Sequence, residues 1–144
     1  MDKPINTGVL AGCEVLVIDD DPSVRKMTAD VLYYYGATVH TASDGREGIS
    51  LAQALAPDFI VTDLTMPTLD GWDLLFELRL KEQTARIPVV AMTAHRDAGN
   101  HERALLAGFD HFVTKPISPA LFIRELLRVL ERMPGVRQQL HWAG

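Results

Sequence analysis

The sequence predicts an α/β fold, a doubly wound parallel sheet of five strands with helices on both faces. Three observations predict it. Short apolar runs rich in branched residues recur, too short for helices and typical of strands buried on both faces. Strand and helix patterns alternate five times with short links. Polar residues collect where the apolar runs end, at the carboxyl ends of strands, where open α/β sheets place their chemistry.

Residues 1–12 carry Pro4, Asn6, Gly8 and Gly12 without a period and read as a flexible lead-in. Glu14-Val15-Leu16-Val17-Ile18 is the first strand and stops at Asp19-Asp20-Asp21. Pro22 suits a first helical turn, Asp21 suits its cap, and residues 23–35 are helical. Val24, Met27, Val31, Leu32 and Tyr35 form the apolar face, with Arg25, Lys26 and Asp30 largely off it. Gly36 ends that helix. Residues 38–42 are a short second strand, and Ser43-Asp44-Gly45 turns into a helix over 46–55, with Ile49, Ala52 and Leu55 inward and Pro57 closing it.

The third strand, Phe59 to Thr62, ends on a carboxylate, Asp63. A loop with Pro67 and Gly71 follows, then a helix over 72–82. Residues 87–93 form a fourth strand, with Pro88 near its start where a missing donor is tolerated. A weaker helix over 98–107 ends at Gly108, and residues 110–114 form the fifth strand, closing on Lys115-Pro116. Ser118 caps a last helix beginning at Pro119, with Phe122, Ile123, Leu126, Leu127 and Leu130 inward. Met133-Pro134-Gly135 breaks it, so the domain reads as 13–132 and residues 133–144 as a short tail.

A chain of 144 residues suits one domain with a proper core. Apolar residues at 47% and charged residues at 23% are ordinary for a globular protein. A net charge of −5 argues against unaided binding to nucleic acid or anionic membranes. Cys13 is the single cysteine, so no internal disulfide forms, and it reads as a small core residue. There is no signal-like segment and no stretch long enough for a bilayer, so a cytoplasmic location is expected.

The strand ends are the informative pattern. In a parallel sheet, Asp19, Asp20, Asp63, Thr93 and Lys115 share one edge, so three carboxylates, a hydroxyl and an ammonium converge. Clustered carboxylates repel unless a cation neutralises them, and oxygen-only ligands in a small site suit Mg²⁺. Asp63, at the mouth of the loop, is the candidate phosphoryl acceptor.

These motifs together resemble the receiver domain of response regulators in two-component signalling. The motifs are Val17-Ile18-Asp19-Asp20, the Asp63 to Gly71 stretch with Met66-Pro67 and Asp70-Gly71, Met92-Thr93-Ala94, and Thr114-Lys115-Pro116. The match spans residues 14–132. The resemblance implies a flavodoxin-like strand order of 2-1-3-4-5. It implies that Asp63 accepts a phosphoryl group from a histidine kinase or a histidine phosphotransfer protein. Asp20, Asp63 and the Thr65 backbone carbonyl would hold Mg²⁺, with Asp19 acting through water. Lys115 would pair with Asp63 and then with a phosphoryl oxygen, across a cis Lys115-Pro116 bond. Thr93 would donate its hydroxyl to the phosphoryl group and Phe112 would swing inward. The surface of the fourth and fifth strands and the helices after them would then switch for partner binding. Such a protein catalyses only its own phosphorylation and dephosphorylation.

His95 lies two residues after Thr93 as Thr65 lies two after Asp63, so both are expected to flank the phosphoryl group and tune its lifetime. Leu105 and Leu106, with Phe109 and Phe112 nearby, read equally as core or as a homodimer or target-docking face, and Leu140 and Trp142 read as a cap on that surface or as a frayed end. Other readings stay open. One is a receiver cut from a larger regulator. Another is a Mg²⁺ phosphatase with an aspartyl nucleophile, although those enzymes usually carry a second aspartate where Thr65 stands. A flavodoxin-like cofactor binder would need a Ser/Thr/Gly-rich phosphate loop after the first strand, and none is present.

Overall fold

The computed structural model describes residues 4–93, 102–103, 106–109, 111–115 and 118–142, with backbone alone at Thr93 and Thr114. Its elements run β1 (Glu14–Ile18), α1 (Pro22–Tyr34), β2 (Thr38–Ala42), α2 (Gly45–Leu55), β3 (Phe59–Asp63), α3 (Gly71–Leu80), β4 (Val89–Thr93), β5 (His111–Thr114), α4 (Pro119–Leu130) and α5 (Pro134–Arg137). Glu102, Arg103, Leu106 and Ala107 are helical, and the rest of the helix expected over 98–107 lies outside the described residues. The strands pair in the order β2-β1-β3-β4-β5, every pairing parallel.

The two-residue period of the strands divides the core. Val15, Val17, Phe59 and Val61 face a cluster beneath α1 and α4 that includes Leu32, Phe122, Ile123 and Leu126. Leu16, Ile18 and Ile60 face the other, beneath α2 and α3, with Ile49, Leu74, Leu75 and Leu78. Burial on both faces is why these strands carry unbroken apolar runs instead of alternation.

The helix starts follow the capping chemistry. Asp21 accepts hydrogen bonds from the amides of Ser23 (2.9 Å) and Val24 (3.3 Å). Asp44 caps α2 through the Glu47 amide, Asp70 caps α3 through the Asp73 amide, and Ser118 caps α4 through the Leu121 amide. Each side chain satisfies a donor that the first helical turn leaves open.

Both chain ends depart from the expectation of loose segments. Val9 and Leu10 are fully buried in the α1/α4 cluster, and the Leu10 amide donates to the Tyr35 carbonyl at 2.8 Å. After α4 the chain turns back and forms α5, which buries Val136. Leu140 and Trp142 pack against the same α1/α4 cluster, whereas Phe109 and Phe112 belong to the α2/α3 cluster. The His141 amide donates to the Val9 carbonyl, and Asn6 Nδ2 to the His141 carbonyl, so the two ends are hydrogen-bonded to each other. The apolar stretches here are too short to show a period, which is why the sequence hides them.

Some boundaries shift. The third helix ends at Leu80, not residue 82, because Lys81 is extended and Thr84 Oγ1 donates to the Leu78 carbonyl at 2.6 Å. The fourth strand starts at Val89, since the Ile87 amide closes a turn onto the Thr84 carbonyl. Among the described residues, no helix is long and apolar enough to cross a membrane.

Candidate functional site

Parallel pairing brings the carboxyl ends of the strands to one edge. Ile18 pairs with Thr62 and Asp63 with Met92, so Asp19 follows one central strand and Asp63 ends its neighbour. Carboxylate oxygens of Asp19, Asp20 and Asp63 lie within 4.8 Å of one another. Lys115, just past β5, places Nζ 2.9 Å from Asp63 Oδ2 and 3.8 Å from Asp19 Oδ2. The expected carboxylates and ammonium therefore converge. The Thr93 side chain, His95, Leu105 and the Lys115-Pro116 bond lie outside the described residues.

Burial sets the electrostatics. Asp19 is fully buried and Asp63 nearly so, while Asp20 is exposed at the rim. Burial pushes the Asp19 carboxyl up to about 6. The hydrogen bond from the Asp21 amide and the Lys115 charge oppose that rise, and Asp63 and Asp20 add to it. Burial alone would lower the Lys115 ammonium, but the hydrogen bond and charge of Asp63, with Asp19 and Asp20, hold it above its ordinary value. Asp19 Oδ2 is buried without a hydrogen-bond partner among the described residues. A buried anionic oxygen left this way needs a cation, so the donor set fits a hard divalent ion.

The loop after β3 is held from several sides. The Thr65 amide donates to Asp63 Oδ1 at 3.3 Å, and the Thr65 side chain is exposed at the mouth. Met66 and Leu69 are buried, anchoring the loop to the α2/α3 cluster. Thr68 sits at φ 69°, a left-handed conformation that costs a non-glycine residue on the order of 1 kcal/mol. The Gly71 amide donates to the Leu64 carbonyl at 2.9 Å and closes the loop. A Cβ on Gly71 would lie 2.4 Å from the Asp63 carbonyl oxygen and 2.9 Å from Leu64 Cα, both backbone atoms that cannot rotate away. Gly71→Ala is expected to destabilise the protein by about 2–3 kcal/mol in chemical denaturation. Gly135→Ala, with nothing within 4 Å of the new methyl, should stay within about 1 kcal/mol of the parent.

Two residues near the edge add to the sequence expectation. Arg25, which the helical period puts off the apolar face of α1, reaches back so that Nη1 donates to the Asp19 carbonyl at 2.8 Å. Trp72, at the start of α3, meets the Phe109 ring edge-to-face at 5.7 Å, and Arg103 stacks over Trp72 at 4.8 Å. The signal for Arg25 was its place six residues after Asp19, in the first turns of a helix that starts at the acid edge. Nothing in the pattern links Trp72 to residues more than thirty positions away. Phe112 is partly buried against the α2/α3 cluster, and its neighbour across the sheet is Ala91.

The sequence model of the response regulator receiver domain matches residues 15–127. The chain is 37% identical over 123 residues to the DNA-binding dual master transcriptional regulator RpaA of Synechocystis, covering 83% of this chain and 51% of that protein. It thus spans about half the length of that relative. Among solved structures, the chemotaxis response regulator CheY4 of Vibrio cholerae superposes with a TM-score of 0.76 at 30% identity, over 82% of this chain and 98% of that one. The receiver domain of sensor histidine kinase PA1611 from Pseudomonas aeruginosa, solved with magnesium coordinated in its active-site cleft, gives a TM-score of 0.73 at 33% identity. That match covers 85% of this chain and 97% of that one.

Proposed function

The chain belongs to the response regulator receiver domain family, and from that premise we propose that Asp63 is its phosphoacceptor, with Mg²⁺ bound beside it. The carrying observation is the pairing of a buried strand-end carboxylate with an ammonium, Asp63 Oδ2 to Lys115 Nζ at 2.9 Å, within reach of two further acids. The donor is a phosphohistidine of a histidine kinase or a histidine phosphotransfer protein. An Asp63 carboxylate oxygen bonds to phosphorus as the P–N bond breaks, and the imidazole takes up a proton as it leaves. Water later attacks the same phosphorus and restores the carboxylate, so the chain turns over only its own acyl phosphate.

Asp20, Asp63 and the Thr65 carbonyl would hold Mg²⁺, with Asp19 behind them, and the ion would offset the charge on the phosphoryl oxygens. Lys115, already hydrogen-bonded to Asp63, shifts to a phosphoryl oxygen once the acyl phosphate forms. Thr93 ends β4 beside Thr114, which supports its hydroxyl as the next donor to the phosphoryl group, with Phe112 following as the switch. Exposure of the Thr65 side chain at the mouth supports a role for Thr65 in water access and acyl-phosphate lifetime, and His95, two residues after Thr93, is proposed for the matching role from the sequence alone.

Partner contacts follow from the surface. A groove of about 710 Å³ between α1 and α4, lined in part by Met27, Tyr34 and Pro119, offers an apolar surface for contact with the phosphodonor protein. Leu106, 82% exposed on its helical stretch, supports an output face, a homodimer included. The net charge of −5 supports output through protein contact and not through direct nucleic-acid binding.

The test is incubation with Mg²⁺ and acetyl phosphate, followed by intact mass and by borohydride reduction of the acyl phosphate with peptide mapping. One phosphoryl group located at Asp63 is the expected result. No adduct, or an adduct at another residue, would defeat the proposal.

A further inference from the structure

Nearly every polar atom of Asp19 is tied down. Its amide donates to the Ala42 carbonyl of β2 at 3.1 Å. Its Oδ1 accepts from the Asp21 amide at 2.9 Å, and its carbonyl accepts from Arg25 Nη1 at 2.8 Å. Among the described residues only Oδ2 is left without a hydrogen bond, fully buried and facing the acid cluster with Lys115 Nζ 3.8 Å away. The carbonyl that Arg25 holds belongs to the planar peptide joining Asp19 to Asp20. Holding that plane restrains ψ of Asp19 and φ of Asp20, on which the direction of both carboxylates depends.

The helix dipole gives no reason for a cation at this end of α1. A positive charge in the first turns of a helix opposes the helix dipole. A guanidinium beside a cluster of three carboxylates also weakens their hold on a metal ion by direct repulsion. Partial burial and the hydrogen bond to the Asp19 carbonyl point instead to a geometric role.

We propose that Arg25 is a positioning residue for the divalent-cation site, holding the Asp19–Asp20 peptide so that Asp19 Oδ2 and the Asp20 carboxylate face the ion. The inference rests on the reading that the acid cluster binds a divalent cation. Its consequence has an unusual sign. If Arg25 acted only as a charge, its removal would tighten Mg²⁺ binding. As a positioning residue, its removal loosens Mg²⁺ even though a repelling charge has gone.

The experiment is calorimetric titration of the full chain with MgCl₂ for the parent, Arg25→Met, Arg25→Lys and Asp20→Asn, with thermal melts of each in chelator. Arg25→Met is expected to weaken Mg²⁺ binding roughly tenfold, the usual scale for losing a partner behind a metal ligand. Arg25→Lys, which can still donate to the carbonyl, should recover part of that loss. A merely structural role would instead lower the melting temperature in chelator and leave the Mg²⁺ affinity of the folded protein unchanged. Equal or tighter Mg²⁺ binding by Arg25→Met, or, should that variant not fold, by Arg25→Lys, overturns the inference. No binding by the parent, or undiminished binding by Asp20→Asn, overturns the cation site itself and the inference with it.

Discussion

Lys115→Met should slow phosphoryl uptake from acetyl phosphate by about 10²–10³-fold, the usual cost of losing one preorganised donor to a developing anion. The side chain is the only cation that the described residues place against the cluster's buried oxygens, 2.9 Å from Asp63 and 3.8 Å from Asp19. Removing it has a second consequence. Two buried carboxylates then face each other with no ammonium between them, which in metal-free protein costs about 3 kcal/mol. The cost is no larger because Lys115 is partly exposed and Asp19 can relieve the repulsion by taking a proton. Lys115→Arg should keep most of the stability and recover little of the rate, since a planar fork cannot place one nitrogen where the ammonium stands. Intact-mass time courses and urea melts in chelator measure the two effects separately. Uptake by Lys115→Met within threefold of the parent would rule out the assigned role.

The metal-free protein should lose stability as pH rises from about 4 to about 6, because of Asp19. Its carboxyl stands at about 6 in the folded state against 3.8 for the free group. Between those values the native state holds a proton that the unfolded chain has released. Unfolding therefore sheds a proton, and raising the pH favours it. Below 3.8 both states are protonated and the term is constant; above about 6 both are ionised and the full cost is present. A shift of this size is worth about 3 kcal/mol. Asp19→Asn should remove that part of the profile and raise the melting temperature at pH 7.5 by roughly 10 °C. Other carboxylates titrate in the same range, so the parent-minus-variant difference is the quantity to plot. Mg²⁺ at a hundred times its dissociation constant should return about 2.7 kcal/mol to the parent and much less to Asp19→Asn. A difference profile that is flat, or that rises with pH, would refute the account.

Much of this protein can be read without coordinates. Parallel pairing and the convergence of Asp19, Asp20, Asp63 and Lys115 follow from apolar runs and strand-end residues, and the sheet order follows from the resemblance that those motifs carry. Parallel pairing aligns all those ends by construction, so local residues imply a distant meeting. The caps at Asp21 and Ser118 are equally local, each depending on residues within three positions.

What the sequence conceals is of another kind. Val9, Leu10, Leu140 and Trp142 look like unpatterned ends, yet the first two are buried in the α1/α4 cluster and the last two pack against it. Their burial depends on where α4 delivers the chain, which no local period encodes. Cys13 shows the same limit: it was legible as a core residue, but not that its Sγ faces Gln139 Oε1 at 3.7 Å, 126 positions along the chain. Gly71 read as turn chemistry, and only the fold shows the Asp63 carbonyl where a side chain would have to go.

The sequence by itself determined the fold, the edge where chemistry gathers, and which acids and ammonium meet there, because side-chain period and strand-end position are properties of short stretches. Only the tertiary structure decided how that edge is held. Full burial of Asp19, an Oδ2 without a hydrogen bond among the described residues, the return of Arg25 to a carbonyl six residues back and the closing of the two chain ends depend on exact distances between elements. Burial and unmet hydrogen bonds arise from the whole surround of a residue, and no residue carries its surround in its own sequence.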